Sequence, residues 1–413
     1  MSDSDSRLTY YKPAWLNLIW GVMSGEQGCT KLDVDDFYLS TAKPPPPLRD
    51  QPPPLLKPKV IPVRREMKSM IEVAIDFREW LNTPPLPKAS SVTKSEPKPE
   101  PVKPKVKPFD IQGIPGAMEK LGWKYSANIM RKWFAGELNY STNDKDDKNS
   151  VNQKGEPFPP SMVDTTTFTM DWILGYQRSK EKYEELISYD YLRSSNAKKT
   201  MVDILRRFPY LRYSRAERYP CNRYVIAPWE ISKGDIRHYH ANFQFQFIPV
   251  GKSWEEAFSR LIKNAGLSRL PFPDDLEGAL ANFNFYAAIN RVEYQRTSQT
   301  TAKCLITEVS VYMRDTYSFY DRSGAGSQYL GHWNKTGIRV VPEMNVIGAN
   351  NIHWLMDTIT IDGTVSEGTV FYPVYNKDFR DWQEQYRQGG DMLLFSDRKV
   401  VKLTTPIEVP FEL

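Results

Sequence analysis

The sequence predicts an α+β protein: an N-terminal proline-rich arm, a helical subdomain, then a mainly antiparallel β-sheet with a few packed helices. Three observations carry that expectation. Apolar residues between Asp110 and about Phe208 recur at helical spacing, from about Arg223 onward they alternate as strands do, and both regions follow proline-rich stretches that suit neither pattern. The expected organisation is an arm over residues 1–108 and a body over 109–413, helical over 109–209 and sheet-forming over 210–413.

In the arm, Pro13 can open a short helix that carries Trp15, Leu16, Leu18, Ile19, Trp20, Val22 and Met23. Such a helix is apolar nearly all round, so Trp15, Leu16, Ile19 and Trp20 either pack on the body or meet a chaperone, a carrier protein or a membrane surface. Residues 44–62 and 94–108 are rich in proline, which fixes φ and removes the amide donor, so these tracts favour extended polyproline II. Between them Met67, Met70, Ile71, Ala74, Phe77 and Leu81 fall at helical spacing, an amphipathic helix whose Met70, Ile71, Phe77 and Leu81 form a candidate membrane- or partner-binding face.

In the body, "PGAMEKLGWKYSANIMRKWFAG" reads as helix up to Gly136, "DTTTFTMDWILGYQRSKEKYEELI" as helix capped by Asp164, and "SNAKKTMVDILRRF" as helix ending before Pro209. The polar insert "STNDKDDKNSVNQKGE" lacks the register of a calcium loop and reads as solvated loop. "NFQFQFIPV" sets Phe243, Phe245 and Phe247 on one strand face, and "SWEEAFSRLIKNAG" is a helix with a Ser253/Glu256 capping box. "NFNFYAAINRVEYQ" and "CLITEVSVYMRD" form one long hairpin and "TITIDGTVSEGTVFYPV" a second around Asp362 and Gly363. "NKDFRDWQEQYRQGG" is a helix capped by Asn376 with Phe379, Trp382 and Tyr386 inward, and "DMLLFSD" closes the sheet, Asp391 and Asp397 serving as turn residues.

Composition narrows function. A formal charge of +5 over 413 residues is too slight a basic lean to be the footprint of a nucleic-acid binder, so none is expected as partner. The three cysteines show no CxxC spacing, which points to a reducing cytoplasm and to neither a disulfide framework nor a zinc site. The acidic start and broken apolar run of "MSDSDSRLTYYKPAWLNLIWGVMSG" do not make a secretory signal, and no later segment approaches the ~20 apolar residues of a spanning helix.

Candidate chemistry gathers in "VYMRDTYSFYDRSGAGSQYLGHWNKTG". Asp315 ends a strand, and Asp321, Arg322 and His332 follow within one loop length; together they could hydrolyse a phosphoester, Asp or His moving the proton while Arg holds the phosphate. The competing reading is structural: Asp315 caps a turn, Gly324 and Gly326 let the loop reverse, and Arg322 pairs with a neighbouring carboxylate. No nucleophile elbow, Walker loop, HExxH or GxGxxG accompanies these residues, and no cofactor is expected. His238 and His240 would share a strand face, but no other metal ligand is placed by the sequence, so no metal is expected either; His332 and His353 each precede a tryptophan and read as polar edges beside buried indoles. The long hairpin, with Leu305, Val309, Val311 and Met313 on one face of its second strand, fits either a pore-forming hairpin or a sheet packed on helices.

On "IPGAMEKLGWKYSANIMRKWFAG", "DTTTFTMDW", "VSVYMRDTYSF" with "SQYLGHWNKTG", and "YPVYNKDFRDWQEQYRQGGDMLLFSD", the chain resembles an uncharacterised bacterial family of type VI secretion antibacterial effectors over roughly residues 110–400. The resemblance implies a toxin made in the cytoplasm, secreted without a signal peptide by a contractile machine, and acting at the envelope of a target cell. It also implies a cognate immunity protein and binding to a secretion spike or tube component or a chaperone. Three mechanisms follow as expectations. The leading one is disruption of the target's inner membrane by the apolar arm helix, the amphipathic helix or the long hairpin. The alternatives are hydrolysis of phospholipid or a cell-wall lipid carrier through Asp315, Asp321, Arg322 and His332, and an adaptor that loads cargo onto the spike.

Overall fold

The computed structural model describes residues 8–13, 23–32, 37–49, 106–207, 223–251, 273–296, 301–322, 326–340, 356–361 and 363–412. Helices dominate residues 111–207 and strands the rest, an α+β arrangement, and among the described residues the strands form two large sheets and one short pair.

The larger sheet is built on the long hairpin, β8 (Phe283–Arg296) against β9 (Thr301–Tyr317). Beyond β9 lie β14 (Met392–Ser396) at one end and β15 (Lys399–Glu412) at the other; beyond β8 lie β7 (Gln244–Val250) and β6 (Arg223–Ile226). β5 (Val163–Phe168) pairs in parallel with β14. The hairpin is therefore the middle of the sheet. Its register shifts where Arg291 pairs Glu308 and Val292 pairs Ile306, leaving Thr307 over as a bulge. That extra residue changes the phase of burial: Cys304 and Ile306 are inside on one side of it, Val309, Val311 and Met313 on the other, and Leu305 does not share their face.

The smaller sheet runs β1 (Leu8–Pro13), β2 (Met23–Lys31), β12 (Ile359–Ile361), β13 (Val370–Tyr375), β10 (Tyr329–Asn334) and β11 (Gly337–Arg339). β3 (Leu39–Ser40) pairs in parallel with β4 (Phe109–Asp110). The first 49 residues are thus partly built into the body: Cys29, Thr30 and Lys31 pair with β12, and Lys31 meets Asp357 at 3.1 Å. A helix from Pro13 to Met23 is corrected at both ends, because Pro13 and Met23 pair with each other as strand residues. Trp15, Leu16, Ile19 and Trp20 lie outside the described residues, as do Met70, Ile71, Phe77 and Leu81 and the helix expected over 253–266.

The helical part comprises α1 (Ile114–Lys120), α2 (Lys124–Phe134), α3 (Asp144–Asn149), α4 (Met170–Leu174), α5 (Gln177–Leu186), α6 (Tyr189–Leu192) and α7 (Ser195–Arg207). Three more, α8 (Pro228–Ile231), α9 (Ile236–Phe243) and α10 (Asp275–Leu280), sit among the strands, and α11 (Asn376–Tyr386) precedes β14. The orphan amides at the start of α2 are satisfied from α10, where Asp275 accepts from Tyr125 N at 3.1 Å and Ser126 N at 2.8 Å, a carboxylate at the positive end of a helix.

Several expectations change. "DTTTFT" is the strand β5 rather than a helix turn, since three successive β-branched threonines suit a strand laid beside β14; the helix begins after Thr169, which caps α4. His238 and His240 are on helix α9, two residues apart and so not on one face. Phe243 ends that helix, and a register shift in β7 leaves Phe245 buried and Phe247 half-exposed. "DMLLFSD" does not close the sheet but lies inside it, between β5 and β9.

One aromatic cluster ties α2 and α11 to the end of β9. Trp133 is ringed edge-on by Phe134, Phe319 and Phe379, while Phe319 and Phe379 stack with centroids 3.7 Å apart. Gly389, at φ +95°, carries the chain from α11 toward β14 beneath Trp133 and Trp382; a Cβ there would meet both indoles at 3.0 Å. This cluster fixes the floor on which the polar residues below are arranged.

Candidate functional site

The last residues of β9, Arg314 to Tyr317, pair with Phe395 to Met392 of β14 and are covered by the polar insert. The insert is not a plain solvated loop. Asn143 caps α3, its Oδ1 accepting from Lys145 N and Asp146 N, and the helix carries Asp144 and Asp147 over the strand end. Ser150, buried and at φ +54°, ends the helix and places its Oγ 3.1 Å from Arg314 Nη2 and 3.3 Å from Thr316 Oγ1. Asp147 accepts from Ser318 Oγ at 3.0 Å, and Asp144 accepts from Tyr320 Oη at 2.8 Å.

Asp391 stands beside this group. It is fully buried, held by both terminal guanidinium nitrogens of Arg380 (3.1 and 2.7 Å) and by Trp133 Nε1 (3.1 Å), so it is no ordinary turn residue. Arg380 also donates to the Phe319 carbonyl at 3.2 Å and to Gln383 Oε1 at 2.9 Å.

The electrostatics follow from burial. Asp315 is pushed well above the usual carboxylate range, chiefly by desolvation and in smaller part by the charge of Asp147, against the opposing pull of the Thr316 amide and Arg314. Desolvation also raises Asp147, its hydrogen bond from Ser318 opposing; the charges of Asp391 and Asp144 push it up and that of Arg380 pulls it down. Tyr317 is held protonated by burial and by Asp391. On the neighbouring helix, His240 is pushed down to about 3 by burial and by Arg314, so it is neutral at physiological pH, with Nδ1 3.0 Å from the Tyr312 hydroxyl. Two carboxyls raised by burial, with Arg314 and Arg380 close by, form a candidate acid–base pair. Among the described residues no group of three or more His, Cys, Asp or Glu side chains could hold a metal ion.

The four residues singled out by sequence do not converge. Asp315, next to Arg314 on β9, makes no side-chain hydrogen bond with Asp147, Arg314, Arg380 or Asp391 but feels the charges of Arg314 and Asp147. Asp321 accepts from Gln328 N at 2.9 Å and Asn376 Nδ2 at 2.8 Å, fastening the loop to the start of α11. Arg322 is exposed. His332 is buried in the smaller sheet, where Nε2 donates to the Asp357 carbonyl at 2.9 Å and Nδ1 is left to accept from the Tyr329 hydroxyl. Its role is thus to hold β10 against residue 357. His332→Phe is expected to cost about 1–3 kcal/mol, read as a lower midpoint in a urea melt.

Asp147, Arg314, Arg380 and Asp391 are not legible as a group, since they are far apart in the chain and their local sequence suggests a loop, a strand, a helix and a turn respectively. The available signal was the capping pattern Asn143–Asp146 inside a polar insert, which marks a helix start rather than bare loop. Asn143→Ala is expected to lower stability by about 1 kcal/mol through loss of the cap, and to loosen the seat of Asp147, read as a drop in Tm by scanning calorimetry.

The fold and this strand-end acid cluster define an α+β protein with a candidate acid–base site. Residues 109–411 match DUF6402, a family of unknown function, and the chain belongs to that family. No curated protein and no solved structure matches it.

Proposed function

We propose that the chain is an antibacterial toxin that hydrolyses a phosphate-bearing component of the target envelope, a phospholipid or a cell-wall lipid carrier, at the cluster formed by Asp147, Arg314 and Asp315. The observation that carries this reading is the Asp147–Asp315 pair, two carboxyls within electrostatic reach whose pKa values are both raised by burial. In the proposed step Asp147 takes a proton from water, the water oxygen bonds to phosphorus, the phosphoester bond breaks, and Asp315 gives its proton to the leaving oxygen. Arg314 attracts the phosphate. Delivery by a contractile secretion machine, a cognate immunity protein and binding to a spike component belong to the same proposal and rest on the sequence resemblance.

Membrane disruption is the second reading, favoured by the 14 and 17 residues of β8 and β9, long enough for a bilayer crossing. It asks the hairpin to release β6, β7, β14 and β15, its hydrogen-bonded neighbours on both sides. No helix among the described residues is long and apolar enough to cross a membrane, which says nothing of strands.

Purified protein mixed with dye-loaded phospholipid vesicles containing a lipid-linked diphosphate separates the readings. The hydrolase is expected to release a soluble phosphate-bearing product before any dye escapes, and Asp315→Asn to release none. Dye release without product, equal for wild type and Asp315→Asn, would overturn hydrolysis in favour of permeabilisation. Neither signal, together with tight binding to a spike protein, would leave the adaptor.

A further inference from the structure

The segment Thr41–Arg49, "TAKPPPPLR", crosses the surface of the body outside any helix or strand, and the body grips its main chain. Asp110 accepts from Lys43 N at 2.9 Å. Gln112 Nε2 donates to the carbonyls of Lys43 (2.8 Å) and Pro44 (3.2 Å), Gln388 Nε2 donates to that of Pro46 (2.8 Å), and the Tyr386 hydroxyl donates to that of Thr41. At the far end Arg49 N donates to the Ala135 carbonyl at 2.8 Å.

Four of these contacts are side-chain donors aimed at backbone carbonyls. That chemistry suits proline, which has no amide to donate and keeps a strong carbonyl acceptor, and four consecutive prolines hold the chain extended at low entropic cost. The gripping residues Asp110, Gln112, Tyr386 and Gln388 all lie within the family match at 109–411, whereas the gripped segment lies before it.

We infer that this surface is a proline-rich-peptide receptor, whose ligand is the chain's own Thr41–Arg49, bound in cis and exchangeable for the same segment of a second copy. Recognition from Lys43 to Leu48 is through carbonyls and the extended proline backbone, and only the ends add side-chain contacts, Thr41 Oγ1 donating to Gln385 Oε1 at 2.8 Å and Arg49 Nη2 to the Ser161 carbonyl. Bound in cis, the segment has an effective concentration on the order of millimolar, so free peptide competes poorly until the internal copy is altered.

The test uses the full chain with Lys43–Leu48 replaced by Gly and Ser, and a fluorescent peptide of residues 41–49. By anisotropy, the altered chain is expected to bind the peptide at least ~10-fold more tightly than the unaltered chain does. Adding Gln388→Ala and Gln112→Ala should weaken binding, and a peptide with Gly and Ser in place of its prolines should not bind. Absence of binding by an altered chain that melts like the original, or equal binding of the proline-free peptide, overturns the proposal. Should the altered chain fail to fold, hydrogen exchange on Tyr386→Phe/Gln388→Ala decides: faster exchange at Lys43 and Arg49 with the core unchanged supports the receptor, and unchanged exchange there overturns it.

Discussion

If the proposed hydrolysis runs through Asp315, Asp315→Asn is expected to lower it by about 10²- to 10⁴-fold while raising the melting temperature at neutral pH. The two effects have one cause. Burial disfavours the charged form of Asp315, so its folded pKa is raised above the unfolded one. A carboxyl of this kind adds stability in acid, below its unfolded pKa, and that contribution is lost as pH rises through the raised folded value. Asparagine keeps the shape, never ionises and cannot donate a carboxyl proton. The gain in Tm over wild type should therefore be large at pH 8 and vanish near pH 3, read by calorimetry at both. Asp147→Asn is expected to lose activity as well, and the wild-type rate should fall as pH rises through the pair's upper apparent pKa. A lower Tm at pH 8 with retained hydrolysis would make Asp315 an ordinary strand-end residue.

Much of the architecture was legible. The alternation in "NFNFYAAINRVEYQ" and "CLITEVSVYMRD" gave the central hairpin because period-2 patterning survives in a sheet covered on both faces wherever neighbouring positions differ in size and polarity. Local chemistry misled where tertiary pairing decided. Asp164 has the look of a helix cap, and its Oδ1 does accept from Thr166 N and Thr167 N, yet those threonines lie within β5, held between Asp164 and Phe168, which both pair with β14. Phase was lost at the Thr307 bulge, which no composition cue announces, and Leu305 was placed on the wrong face as a result. At the candidate site, the sequence points to Asp315 as an exposed strand-end side chain, whereas in the fold it is desolvated near the end of β9. Asp321 and His332 were grouped with it by proximity in sequence, but the chain turns away: one fastens a loop to α11 and the other enters a different sheet. Arg380 and Asp391 looked like helix and turn residues because a carboxylate's burial is set by what packs over it, and here that is Trp133 from far earlier in the chain.

Arg380→Met is expected to be among the most damaging single changes, about 3–5 kcal/mol, because it strips a fully buried carboxylate of its countercharge while removing little volume. Asp391 would keep only Trp133 Nε1 and nearby dipoles, and Gln383 and the Phe319 carbonyl would each lose a donor. The pair itself need not be strongly stabilising, since desolvating both ions offsets much of their attraction. The double variant Arg380→Met/Asp391→Leu is therefore expected to recover part of the loss, a non-additivity measurable as a higher urea midpoint than the single variant shows. The site should feel the single change too. Arg380 lowers the pKa of Asp147 and the charge of Asp391 raises it, so removing the cation moves the Asp147 titration upward. The acidic limb of the activity profile should shift to higher pH in whatever Arg380→Met protein remains folded. Loss of stability with an unmoved acidic limb would confine the Arg380–Asp391 pair to holding α11 and β14 together, and would detach it from the chemistry proposed for Asp147 and Asp315.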